Sequence, residues 1–335
     1  MNATIAIVGM PRSGTTWIGK LFDSHPDTLY RHEPDSVQRL HMPLYPTLAD
    51  AAKYQAELRG FVEALPRMRS AKVVGKQPLF SKHYQSRAGL LAYRASVMAA
   101  KVAGRIVGDL PCPYRPTGKG RPDVRVVWKS IESPGRIGVI TAALPGTRAI
   151  HVMRRPCGYV ASMLRGDRGH EFGQRTASAD DHWLLERLLA ADNGRHRGVT
   201  FDLLKRLAPE KRLAWRWVLT QEKILADVGA CERVLTVRYE DVCADPLTAT
   251  RRMFAFAGLD WHPQTEAFIR RGEQGRDRGY YSVVKPTKVP AERWRTELTD
   301  ESIRCVHDVL EQSPLRRWYG AADDPVRAAV PGLPT

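Results

Sequence analysis

Residues 4–17 read TIAIVGMPRSGTTW. Thr4 to Val8 are apolar or β-branched and suit one buried strand, and Gly9 ends it. The apolar positions that follow, at Trp17, Ile18, Leu21 and Phe22, fall on one face of a helix. A glycine-bounded loop between a strand and a helix turns its backbone N–H groups inward, and the helix dipole adds positive potential, so the place favours an anion. The usual phosphate cradle is G-x-x-x-x-G-K-[ST]. Here Gly9 and Gly14 keep the spacing and Thr16 keeps the hydroxyl, but Thr15 stands in the lysine position. Arg12 supplies a charge from within the loop, and Ser13, Thr15 and Thr16 supply hydroxyls. The alternative is an ordinary strand–turn–helix connection with glycine for the turn.

A strand that feeds a helix needs parallel partners, and the chain offers them. TLYRHEP (28–34) reads as a short strand and turn, VRVVWKS (124–130) as a buried strand, RAIHVM (148–153) as another, and RVLTVRYED (233–241) as a fifth. Helices are predicted near 133–143, after RRPCGYVAS, over 178–190 and 204–228, over 245–259 and near 299–311. In the 245–259 helix Asp245 serves as N-cap, Pro246 as first residue and Gly258 as terminator. Amphipathic stretches at 53–65 and 90–107 lie in a less regular region, 35–122, which ends in PCPYRPTGKGRP. This region reads as a helical insertion closing in a surface loop. RRGEQGRDRG (270–279) reads as loop. Alternating strands and helices predict an α/β fold, a three-layer αβα sandwich around a central parallel sheet. One domain over 1–335 is expected, with a C-terminal loop and helix at about 262–320.

The 335 residues, 43% hydrophobic, suffice for a real core. The net charge of +16 predicts an anionic partner such as a nucleotide, nucleic acid, membrane face or acidic glycan. The basic residues are scattered rather than striped with aromatics, which argues against nucleic acid. Five widely spaced cysteines without a C-x-x-C argue against a disulfide framework or a zinc site. No apolar run reaches the ~20 residues of a membrane span, and a strand begins almost at once, leaving no room for a signal peptide. A soluble, cytoplasmic protein without a metal is the expectation.

In parallel sheets ligands bind at the carboxyl ends of strands. Three strand exits therefore become candidates: the 10–16 loop, Lys129-Ser130, and Arg154 with Ser162 eight residues on. An Arg before a helix and a Ser inside it can clasp one phosphate. A magnesium-binding aspartate at a strand end is missing. The nearest, Asp241, lies past the apolar core of its strand, which weakens a kinase reading.

These residues resemble sulfotransferases that use 3′-phosphoadenosine-5′-phosphosulfate. PRSGTTW resembles the family's 5′-phosphosulfate loop, P-[KR]-S-G-[ST]-[ST]. RRPCGYVAS resembles its 3′-phosphate motif, R-[DN]-P-x-x-x-x-x-S, with Arg155 in place of the usual Asp or Asn. VRYEDVCADP is similar to a later family segment. DSHPDTLYRHEP is similar to the H-P-x-x-x-x-x-x-E-P of the carbohydrate branch. The small-molecule branch has K-T-H, whose His is the base; here Lys129-Ser130-Ile131 lacks it.

The resemblance implies a P-loop NTPase-like fold and a donor bound by Pro11, Arg12, Ser13, Gly14, Thr15, Thr16, Arg154 and Ser162. It implies transfer of a sulfuryl group to a hydroxyl, on a carbohydrate-type acceptor, without a metal. Glu33 is the implied base, with Arg12 and Lys129 stabilising the leaving phosphate. His32 is the rival base. If RHE is extended, only one of His32 and Glu33 faces the site. Lys285, Lys288 and Arg293 are candidates for a basic loop over the 3′-phosphate. Trp17 is expected under the helix, and Trp294 in the core or the acceptor wall. A P-loop kinase, or a sulfotransferase for a non-sugar alcohol or phenol, remains the alternative.

Overall fold

The computed structural model describes residues 4–117, 123–171, 176–191, 196, 198–229, 231–274 and 291–319. They form two compact units, Met1–Met153 with Asp227–Lys288, and Arg154–Ala226 with Val289–Thr335.

The first unit is built on five strands: β1 (Thr4–Val8), β2 (Thr28–His32), β3 (Arg125–Ser130), β4 (Thr147–Met153) and β5 (Val234–Arg238). Their order is β2-β3-β1-β4-β5 and every pairing is parallel. β1 is central and buried along its whole length, which is why its sequence is continuously apolar rather than alternating. Its neighbours β3 and β4 lie on opposite sides of it. The loop leaving β1 thus opens at the point where strand order reverses, where such sheets bind ligands.

That loop leads into α1 (Thr15–Asp23), which buries Ile18, Leu21 and Phe22. The segment after β2 carries α2 (Gln55–Ala64), α3 (Ala71–Val74) and α4 (Arg87–Val107). Two polar anchors attach it. Arg31 of β2 is buried and donates to the carbonyls of Leu65 (2.7 Å), Pro66 (2.9 Å) and Pro116 (3.4 Å). Lys82 pairs with Asp23 of α1 (3.1 Å), which also pairs with Lys20. After β3 come a short turn and α5 (Ile137–Ala143). The helix Pro246–Ala257 has Asp245 accepting from the Thr248 N–H (3.0 Å) and left-handed Gly258 as its stop, as the sequence predicts.

The second unit holds α6 (Pro156–Arg168), α7 (His182–Ala191), α8 (Phe201–Arg206), most of α9 (Pro209–Val228) and the helix Asp300–Leu310. Tyr159, Leu188, Leu204, Trp217, Trp294, Val306 and Tyr319 are buried there.

Three boundaries differ from the sequence reading. The helix expected over 204–228 is two, because Pro209 disfavours helical backbone at Ala208 and restarts the helix as its first residue. Residues 270–274 are not loop but the end of the helix Pro263–Gln274, where Arg270 pairs with Glu266 one turn back (2.8 Å). The last strand ends at Arg238, and YED opens the helix Tyr239–Ala244.

Candidate active site

The loop between β1 and α1 makes two left-handed steps, at Arg12 (φ 70°) and Gly14 (φ 89°). The first is uncommon for a residue with a side chain. The second admits only glycine for an additional reason. A Cβ at Gly14 would lie 2.2 Å from Cδ2 of Tyr239, whose ring packs against the loop and meets Trp17 edge-on at 6.2 Å. Trp17 is therefore an aromatic neighbour of the loop's support. Ser13 folds inward: its N–H and hydroxyl both donate to the Met10 carbonyl, at 3.2 and 2.5 Å. Its role is to close the turn, and the loop's other hydroxyls are those of Thr15 and Thr16. Pro11, Arg12, Gly14 and Thr16 are partly exposed, whereas Thr15 is buried. No side chain caps the start of α1, so its first turn keeps the polarity that attracts an anion.

Glu33 follows β2 and Lys129 lies in β3. Their backbones meet first: the Glu33 N–H donates to the Lys129 carbonyl at 2.7 Å. The Lys129 ammonium then forms an ion pair with Glu33 Oε1. Lys129 is almost fully buried while Glu33 is about one-quarter exposed. Burial lowers the Lys129 pKa, opposed by Glu33; the nearby Arg12 charge lowers it further. Arg12, Glu33 and Lys129, the three residues implied as catalytic, thus share one electrostatic neighbourhood.

RHE is not extended to its end, so the condition for His32 and Glu33 to face opposite sides is not met. Glu33 takes a left-handed φ of 47°, which ends the strand and swings its side chain round, and His32 Nε2 lies 3.7 Å from Glu33 Oε1. His32 Nδ1 is hydrogen-bonded to the Tyr30 hydroxyl at 3.0 Å. Its pKa is pushed well below the usual histidine range, first by burial and then by Lys129, Lys76, Lys20 and Lys101.

Lys76 is the residue that sequence patterning missed. It sits in the insertion, just after α3. Burial lowers its pKa first, then Lys129 and, more weakly, Lys101 and Arg12, with Glu33 opposing. A buried lysine holds its backbone in place: Lys20 Nζ donates to the Lys76 carbonyl at 3.0 Å. Burial brings Lys20 itself down to about 8. No local motif marks Lys76, because the fold brings it to β2 and β3 from a distant part of the chain.

Ser130, next to Lys129, is structural. Its hydroxyl is bonded to Asp35, and its oxygen accepts the N–H groups of Glu132 (3.0 Å) and Ser133 (2.9 Å). Ser133 also donates to Asp35 at 2.6 Å. Asp241 is held by Arg238 at 2.7 and 3.0 Å on the face of a helix, not at the end of a strand.

In the second unit, Arg154 is the residue after β4, and its carbonyl accepts from the Trp217 indole N–H at 3.0 Å. Its side chain lies along the first turn of α6, where a Cβ on Gly158 would be 3.0 Å from Arg154 Nε. Ser162 is buried inside α6, 3.2 Å from Arg165 Nη2, and Arg165 pairs with Glu297. Arg155 turns instead to two rings, 5.7 Å from that of Trp294 and 5.5 Å from that of Tyr319. That packing accounts for an arginine where the motif usually has Asp or Asn. Trp294 is core, not wall. Arg293 precedes the helical turn Trp294–Glu297; Lys285 and Lys288 lie outside the described residues.

A parallel sheet with an anion-favouring loop at its switch point defines a class of α/β proteins that bind ligands at their strand ends. Within it, the sulfotransferase family model matches residues 4–263, and the chain belongs to that family. It is similar to mouse carbohydrate sulfotransferase 2, 24% identical over 94% of this chain and 64% of the relative. It is similar to mouse carbohydrate sulfotransferase 7, 25% identical over 88% of this chain and 69% of the relative. The chain therefore spans about two thirds of the length of the curated relatives it matches. Among solved structures it resembles mouse sulfotransferase SULT7A1 complexed with PAP (12% identity, TM-score 0.44, 98% of this chain and 90% of that one). It also resembles the sulfotransferase domain of the curacin biosynthetic pathway (16%, TM-score 0.43, 93% and 97%). Among the described residues, no helix is long and apolar enough to cross a membrane.

Proposed function

We propose that this chain moves a sulfuryl group from 3′-phosphoadenosine-5′-phosphosulfate to a hydroxyl of a carbohydrate-type acceptor. The observation that carries the reading is the Glu33–Lys129 ion pair, set beside Arg12 and an uncapped helix start. The kinship to carbohydrate sulfotransferases supports the acceptor class.

The 5′-phosphosulfate takes the 11–16 loop, with the backbone and the Thr15 and Thr16 hydroxyls as donors. The 3′-phosphate is assigned to Arg154 and Ser162. The acceptor hydroxyl gives its proton to the Glu33 carboxylate as its oxygen bonds to sulfur. The bond from sulfur to the phosphate oxygen breaks, and the negative charge moves onto that oxygen. Arg12 and Lys129 neutralise it. Group transfer of this kind is catalysed by positioning and electrostatics. Lys129 is thereby the common partner of base and leaving group. His32 is less suited to be the base, because burial and the surrounding lysines depress its basicity. Lys76 adds a cation on the acceptor side.

The test is calorimetry with adenosine 3′,5′-bisphosphate on wild type and Arg154→Ala, followed by a glycan panel with the full donor in EDTA. Tight binding weakened by the substitution, and release of desulfated nucleotide with a glycan, support the reading. Turnover only with ATP and magnesium would replace it with a kinase. Turnover of phenols alone would replace the acceptor class.

A further inference from the structure

Helix α4 buries one face and exposes another that is not an ordinary polar surface. Tyr93, Val97 and Ala100 pack into a cluster with Val73, Val74, Leu79 and Cys112. On the outside, Leu91, Met98, Val102 and Ile106 recur at seven- and four-residue steps and are between 55% and 89% exposed. Arg87, Arg94, Lys101 and Arg105 follow the same steps and border this stripe. The 21-residue helix contains no acidic residue. Solvent alone does not favour such a row of aliphatic side chains, and contiguous exposed apolar area marks an interaction site.

From this juxtaposition we infer that α4 is a membrane-surface helix: its apolar stripe enters the headgroup boundary of an anionic lipid bilayer while the exposed cations Arg87 and Arg105 meet the lipid charges, Arg94 being held by the Leu79 carbonyl at 3.3 Å. An apolar face bordered by Lys and Arg is the pattern of helices that lie in the plane of a bilayer. A second copy apposing the same face would set four cations against four, so the charge pattern favours lipid over self-association. A partner protein would need an acidic rim around an apolar groove to match. The whole chain carries +16, which strengthens attraction to an anionic surface.

The surface adjoins the site described above. The Lys101 stem lies over Gly75, where an added Cβ would come 3.3 Å from Lys101 Cε. Its charge acts on Lys76, the next residue, and on His32. A bilayer resting on α4 therefore lies on the side of the site that holds Lys76 and His32. The inference itself does not depend on which donor or acceptor the chain uses.

The experiment is sedimentation of the full chain with vesicles of phosphatidylcholine alone and with added phosphatidylglycerol. Binding to the anionic vesicles and not to the neutral ones is expected. Arg87→Gln with Arg105→Gln should lower the partition coefficient ~25-fold, at about fivefold per cation. Met98→Gln with Ile106→Gln should lower it about tenfold or more. All four side chains are exposed, so folding should be retained, and an unchanged melting temperature would check it. Failure of the wild type to bind anionic vesicles overturns the inference, as does binding that both double variants leave intact. A wild-type dimer dissolved by Met98→Gln with Ile106→Gln overturns it too, because the stripe would then be covered by a second copy.

Discussion

Glu33 and Lys129 are joined twice, by a backbone hydrogen bond of 2.7 Å and by an ion pair between their side chains. The first bond fixes where the carboxylate leaves the sheet, and the left-handed turn at Glu33 fixes its direction. The second makes the lysine's electrostatics depend on the glutamate.

Glu33→Gln should cut kcat by ~10²–10⁴ if the carboxylate takes the acceptor's proton. Affinity for adenosine 3′,5′-bisphosphate should change little, because the amide can still accept from Lys129. Steady-state turnover and calorimetry on one preparation test this; near-normal kcat would remove Glu33 from the role.

Lys76→Gln should act differently. The charge of Lys76 lies in the field of Glu33, Lys129 and Arg12. A rise in acceptor KM, roughly tenfold for one lost charged hydrogen bond, is expected with unchanged melting temperature. An unaltered KM would place Lys76 outside acceptor binding.

Arg154 and Arg155 are adjacent but should separate cleanly. Arg154→Ala should weaken adenosine 3′,5′-bisphosphate binding about 10–100-fold, the worth of a charged hydrogen bond. Arg155→Ala should leave binding alone and cost about 1–3 kcal/mol of stability through lost stacking on Trp294 and Tyr319. Calorimetry and denaturant titration give the two readouts, and swapped results would reverse the assignment.

Gly14→Ala should lose both stability and nucleotide binding. The added methyl meets the Tyr239 ring, and the backbone is left-handed, a strain of about 1–3 kcal/mol before any clash. Wild-type melting and affinity would show that the loop readily relaxes.

His25 supplies a pH window. Burial brings its pKa down to about 4, while its Nδ1 accepts from the Asp27 N–H at 3.2 Å. An unfolded histidine titrates near 6.5. Between these values the unfolded chain holds more protons, so stability falls as pH drops from about 6.5 to about 4. The loss should reach about 3 kcal/mol. Urea denaturation at pH 7 and about pH 4.5 should show this fall in wild type and a smaller one in His25→Gln.

The sheet was legible because each strand is a run of β-branched or apolar residues with punctuation at its end, and β1 matches residue for residue. The loop was legible because Gly9, Gly14 and the hydroxyls stand at fixed spacing. Lys129 and Glu33 were legible as types, but their pairing was not: it depends on β2 lying beside β3, which no local pattern encodes. A turn after TLYRH is legible in the sequence, but not its left-handed form at Glu33, because a left-handed glutamate is rare and the context that holds it is tertiary. The 204–228 helix was read as one because periodicity outweighed a proline that in fact restarts it.

Arg31 grips the segment after β2 through the carbonyls of Leu65, Pro66 and Pro116 alone. Main-chain oxygens are the same whatever side chains flank them. The clamp is therefore indifferent to which side chains stand at those three positions, and substitutions there leave these hydrogen bonds in place. With Lys82 on Asp23 as the second anchor, the segment can drift in sequence while its hold on the sheet persists.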